Sequence, residues 1–127
     1  MIVEVDESKK IHDWMLKAVE LVESRGFTDV KSKLDGYEDP ISFDKKGDDT
    51  NYTPDITAEG NHGKAYFELA RKTDEVTSLV SKWKLLSTIA KMKKGSFHII
   101  VPYGQNKFTQ EILDKYPVEA DLIKLPS

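Results

Sequence analysis

A chain of 127 residues with no cysteine is long enough to bury one real core and argues against two domains, and it excludes disulfides and thiolate metal centres. Its formal net charge of −3 hides an asymmetry, because residues 1–63 hold 15 acids against 8 lysines and arginines while residues 76–110 hold six lysines and no acid. No apolar run nears the roughly 20 residues needed to span a bilayer, and M-I-V-E-V-D-E-S at the N-terminus is not a basic region followed by an apolar stretch, so one soluble, cytoplasmic domain over residues 1–127 is expected.

Ile11, Trp14, Met15, Ala18, Leu21 and Val22 recur at three- and four-residue steps and predict a first helix with one apolar stripe. Ser8 is its expected N-cap and Gly26 its left-handed C-cap. Asp13, Lys17, Glu20 and Glu23 fall on its polar side. Phe27 to Lys33 alternates as a strand, and Asp35-Gly36 reads as a hairpin turn into a second strand, Tyr37 to Phe43. Pro40 makes that second strand irregular or an edge. Asp44 to Asn51 is a polar loop.

The stretch from Tyr52 to Lys72 reads as a β-hairpin. Gly60-Asn61-His62-Gly63 is a turn cluster between two runs that alternate in polarity. Pairing Glu59 with Lys64 places Ile56 opposite Phe67 and Asp55 opposite Glu68. Ile56, Ala58, Ala65, Phe67 and Leu69 then form an apolar face, while Asp55, Thr57, Tyr66, Glu68 and Lys72 line the other as a candidate site. Two carboxylates about 5 Å apart at Cβ destabilise a sheet unless they share a proton or a cation. A one-residue slip, or a water-exposed face on which both acids are simply solvated, would account for the pair without a ligand.

A second helix is predicted from about Asp74 to Met92, with Val76, Leu79, Val80, Trp83, Leu86, Ile89 and Ala90 on its apolar face and Gly95 as its stop. Trp14 and Trp83 both read as core. Lys84 and Lys91 border one side of the stripe, Lys82 and Lys93 the other, either leaning towards a ligand or covering apolar surface with their stems. Ser96 to Pro102 is a buried strand. Phe108, Ile112, Leu113 and Tyr116 mark a third helix closed by Pro117, and Ala120 to Leu125 a last strand. Strands alternating with helices imply at least one parallel pair, giving an α/β class with a mixed sheet and helices on both faces.

Other chemistry finds no pattern. His12, His62 and His98 match no zinc-ligand spacing; His62 reads as a solvent-facing turn residue and His98 as structural. Neither phosphate-loop glycine pattern occurs, and no serine stands in a nucleophile elbow.

Helix, three antiparallel strands, helix, strand is the core order of the PD-(D/E)XK, or restriction-endonuclease-like, nuclease superfamily. The chain resembles a member at Pro54-Asp55 on one hairpin arm and Glu68-Leu69-Ala70 on the other, and W-M-L-K-A-V-E-L-V-E-S-R-G-F-T-D-V is similar to the opening helix and strand of such domains. The resemblance spans roughly residues 9–102 and implies an αβββαβ core with an added helix and strand. It implies a Mg²⁺- or Mn²⁺-dependent DNA nuclease in which Asp55 and Glu68 bind metal together with a first-helix acid, Glu20 being the choice and Asp13 and Glu23 the alternatives. Carboxylate oxygens suit Mg²⁺, and the metal lowers the pKa of its water and neutralises charge on the scissile phosphate.

The motif lysine is replaced by Ala70. Its role then passes to Lys72, one step along the strand, or to Lys84 from the following helix. If neither reaches, the fold implies a catalytically inactive domain that binds nucleic acid or a protein partner. In either case Lys82, Lys84 and Lys91 suit a surface that tracks the DNA backbone. DNA is the expected partner, with no membrane, and a homodimer is the assembly that lets small nucleases of this kind cut two strands. An unrelated α/β domain with an accidental acid pair is the remaining reading.

Overall fold

The computed structural model describes residues 3–44, 47 and 50–126, of which 3–8 by their backbone alone. The first helix, α1 (Val3–Ser24), starts earlier than Ser8, which lies inside it. Val3 to Glu7 contain no glycine or proline to break a helix. Its C-terminus is as expected: the Gly26 N–H donates to the Glu23 carbonyl, and Gly26 takes φ +91°, a conformation open to glycine.

β1 (Thr28–Ser32) is an edge strand. Between the pairs Thr28↔Glu59 and Lys31↔Thr57 its register shifts, and Asp29 there has φ +52°, which is the geometry of a bulge. The expected second strand over Tyr37–Phe43 does not form. The chain turns tightly after β1, with Ser32 N–H donating to the Glu38 carbonyl and Tyr37 N–H to that of Leu34, and Pro40 has no N–H to give a ladder. Only Phe43–Asp44 (β2) is extended, paired with Asn51–Tyr52 (β3) in a separate small ribbon. Of the predicted polar loop between them, Lys45, Lys46, Asp48 and Asp49 lie outside the described residues.

β4 (Ile56–Gly60) and β5 (Gly63–Leu69) form the central hairpin, with Ile56↔Phe67, Ala58↔Ala65 and Glu59↔Lys64 paired as the alternation requires. Pairing continues to Gly60↔Gly63, so the loop proper is Asn61-His62. α2 (Val76–Met92) leads to β6 (Ser96–Val101), and α3 (Asn106–Lys115) leads to β7 (Asp121–Lys124). The five-stranded sheet runs β1-β4-β5-β6-β7. It is antiparallel from β1 to β5 and parallel from β5 to β7.

Both faces of this sheet are covered, as is usual where parallel strands are present. On one, Ala18, Val19 and Val22 of α1 pack on Ile56, Ala58, Ala65, Phe67 and Ile100. On the other, Trp83, Leu86 and Ala90 of α2 and Ile112 of α3 pack on Tyr66, Phe97, Ile99 and Val101. The second hairpin face, expected to form a site along its length, is therefore mostly core: Thr57 and Tyr66 are both buried, Tyr66 against α2. Its end, at Glu68 and on to Lys72, reaches a cleft. No helix among the described residues is long and apolar enough to cross a membrane.

Candidate active site

The ladder between β4 and β5 stops at Ile56↔Phe67, and side chains replace the next backbone pair. Pro54, buried, supplies no N–H and presets the backbone before Asp55. The Asp55 N–H donates to Glu68 Oε2 at 2.9 Å, and the Leu69 N–H donates to Asp55 Oδ2 at 2.8 Å. Each acid thus caps an amide beside the other. Among the described residues, Asp55 Oδ1 and Glu68 Oε1 take no such bond.

Lys82, two turns into α2, places its Nζ 3.1 Å from Glu68 Oε2. Glu68 is only 2 % exposed. Burial, and then the negative charge of Asp55, push its carboxyl up to about 8, against the pull of the Lys82 ammonium. Two acids with one cation leave a surplus negative charge at depth, so a proton or a further cation belongs there.

The sign of the pH effect follows. Without metal, folded Glu68 keeps its proton up to a pH near 8, whereas in the unfolded chain it ionises at the usual glutamate value of about 4.3. The folded state binds the extra proton between those values, so the contribution of Glu68 to stability is fully present below the unfolded pKa and is lost as pH rises towards 8. In chelator, Glu68→Gln is expected to flatten that decline in urea melts at acidic, neutral and mildly alkaline pH. An unchanged slope would show that Glu68 is ionised throughout.

The other residues singled out by sequence are distributed unevenly. Lys72 lines the same cleft as Glu68 and Lys82; its backbone N–H donates to Gln105 Oε1 at 2.8 Å, and among the described residues its ammonium pairs with neither acid. Lys84 is exposed and outside the cleft, so the lysine that α2 delivers is Lys82. Lys91 is exposed and ion-paired with Glu119.

Glu20 does not join the acid pair. It is exposed in a separate shallow depression beside Ser24 and Pro126. Among the described side chains of α1, Lys10, Ile11 and Trp14 line the cleft, and Glu20 stands about 9 Å further along the axis than Trp14 at 1.5 Å per residue. Asp13 is exposed outside the cleft, and Glu23 accepts a hydrogen bond from the Tyr37 hydroxyl at 3.0 Å.

The motif position itself cannot hold a lysine in this packing. Ala70 is fully buried among Val80, Trp83 and Val101, and its N–H donates to the Ile100 carbonyl. An ammonium there would be unpaired in an apolar core. Lys82 was legible as a border residue of α2 but not as the partner of Glu68. The usable signal was position: α2 begins just after the C-terminal end of β5, so its first two turns, and not its last, lie near Glu68.

Trp83 is fully buried. Trp14 is only half-buried, packing on the core with one part and lining the cleft with another. His98 stacks on Phe67 with ring centres 4.8 Å apart and shares a 2.8 Å hydrogen bond with Ser96 Oγ; burial pulls its pKa down.

Among the described residues no group of three or more histidine, aspartate or glutamate side chains is gathered to hold a metal. The acids brought together are the Asp55–Glu68 pair. It fits Mg²⁺, which commonly binds through one or two carboxylates and keeps several waters, better than it fits zinc. No family model matches the chain, and neither a curated protein nor a solved structure matches it significantly.

Proposed function

We propose that this is a restriction-endonuclease-like domain acting as a Mg²⁺-dependent DNA nuclease, with Asp55 and Glu68 as metal ligands and Lys82 in the role of the lysine that Ala70 displaces. The observation that carries this reading is the reciprocal clasp of the two carboxylates on the Asp55 and Leu69 amides, with a lysine ammonium 3.1 Å away. The order of α1, three antiparallel strands, α2 and a parallel strand supports it.

When bound, Mg²⁺ would supply Lewis acidity towards the phosphate and a more acidic water. Asp55 and Glu68 would hold it, and their bonds to the Leu69 and Asp55 amides fix the carboxylates before any ligand arrives. Lys82 stabilises ionised Glu68 and offers an ammonium donor to a phosphate oxygen or to the attacking water. Hydrolysis consumes one water: its oxygen forms the new bond to phosphorus, the bond to the leaving sugar oxygen breaks, and a phosphomonoester and a hydroxyl result.

Cleavage of plasmid and branched oligonucleotides in Mg²⁺ or Mn²⁺ tests the reading. Lys82→Ala is expected to lower the rate by about 10²-fold or more, the usual range for a positioned proton-transfer or donor group, while Lys84→Ala stays within about twofold of wild type. Equal losses would remove Lys82 from the mechanism.

One observation favours an inactive, binding-only domain as the second reading. Burial keeps a proton on Glu68 up to a pH near 8 with Lys82 against the same carboxyl, and that proton would make a metal dispensable. Such a domain would gain no thermal stability from Mg²⁺ and cut nothing in Mg²⁺ or Mn²⁺.

A further inference from the structure

The cleft above Glu68 has a volume of about 610 Å³, inside the range of about 300–1,000 Å³ typical of small-ligand pockets. Its walls divide by chemistry. Ile11, Trp14 and Leu79 give it an apolar side built from α1 and α2, while Lys10, Arg71 and Lys72 stand around it as cations. The Lys10 ammonium lies 5.2 Å from the centre of the Trp14 ring, and Lys10, Arg71 and Lys72 are all exposed.

Contact with the phosphates of an intact duplex needs cations on a surface and has no use for a concave apolar wall, because stacked bases hide their faces. Glu68 is also too deep, at 2 % exposure, for a phosphate that lies across the mouth of the cleft. A nucleotide outside the stack meets both conditions. Its base can lie on the indole, as bases stack on aromatic side chains in single-strand binders, while its phosphates meet Lys10 and Arg71.

We infer that this cleft takes an unpaired nucleotide, so that the preferred DNA is a single strand or a frayed end and not continuous duplex. The inference rests on the nuclease reading for the chemistry at Glu68, but its binding is separable from that chemistry. The test uses the full chain in chelator, following the anisotropy of labelled oligothymidine and of a labelled blunt hairpin duplex. Oligothymidine is expected to bind at least about tenfold more tightly. Trp14→Ala should lose most of that preference and Trp14→Phe should keep it. Lys10→Ala, at an exposed position, weakens single-strand binding more than duplex binding and serves if Trp14→Ala does not fold by circular dichroism.

Equal affinity for the two DNAs, or a Trp14→Ala loss equal on both, overturns the inference. Duplex cleavage as fast as single-strand cleavage, and abolished in Glu68→Ala, leaves the nuclease assignment standing and overturns the unpaired-nucleotide cleft. Tight, Trp14-dependent single-strand binding with no cleavage and no Mg²⁺ stabilisation sustains the cleft and removes the nuclease assignment.

Discussion

Asp55→Ala and Glu68→Ala are each expected to lower Mg²⁺-dependent DNA cleavage by about 10³-fold, because a bound metal contributes several kcal/mol to the transition state and each 1.36 kcal/mol is about tenfold in rate. The two losses should not add in the double variant if, as proposed, both carboxylates hold one ion. Metal affinity supplies an independent readout. A ligand that binds only the folded state raises stability, so Mg²⁺ should raise the melting temperature of wild type and do so for neither variant. The two substitutions differ in the metal-free protein. Asp55→Ala strips the Leu69 amide of its acceptor and relieves Glu68 of a like charge, whereas Glu68→Ala leaves the half-buried Lys82 ammonium without its partner. Cleavage unchanged in Glu68→Ala would end the mechanism.

Gly95→Ala is expected to cost about 3 kcal/mol or more of folding stability, measurable as a lowered urea midpoint with an unchanged slope. Gly95 precedes β6 at the point where that strand meets β5. A Cβ there would stand 2.1 Å from the Lys64 carbonyl oxygen and 3.1 Å from its carbon. Both are backbone atoms of a central strand, so no side chain can turn aside to make room. Relief requires the β5–β6 pairing, Ala65↔Ser96 onward, to shift, and forced overpacking of this kind costs 1–3 kcal/mol or more. Gly26→Ala is the useful control. Its Cβ would meet nothing within 4 Å, so its cost is limited to that of the positive φ. A Gly95→Ala midpoint no lower than that of Gly26→Ala would refute the packing argument.

What could be read before folding was what depends on neighbours along the chain. The hairpin register was legible because alternation in Ile56–Ala58 and Ala65–Leu69 and the paired glycines admit one main alignment. The apolar stripes of α1 and α2 and the breaks at Gly26 and Pro117 are equally local. The strand expected over Tyr37–Phe43 failed because its alternation was overridden by a turn that satisfies Ser32 and Leu34 within the loop.

The site was legible only in part for the same reason. That Asp55 and Glu68 face each other follows from strand pairing. That Lys82 and not Lys84 meets Glu68 depends on the rotation and tilt of α2 over the sheet, which two residues of spacing cannot resolve. The first-helix acid was likewise a choice among Asp13, Glu20 and Glu23 by composition, and the rotation of α1 turned Lys10, Ile11 and Trp14 to the cleft instead.

The kink at Asp29 bears on self-association. A sheet grows into fibrils or strand-added dimers when a straight, uncharged margin offers its free amides and carbonyls to another copy. β1 offers neither, since its bulge bends the row and Asp29 and Lys31 put charge on it. The opposite margin, β7, pairs with β6 without a bulge and carries the exposed Leu122, and there the exposed Asp121 and Lys124 put the charge on the edge.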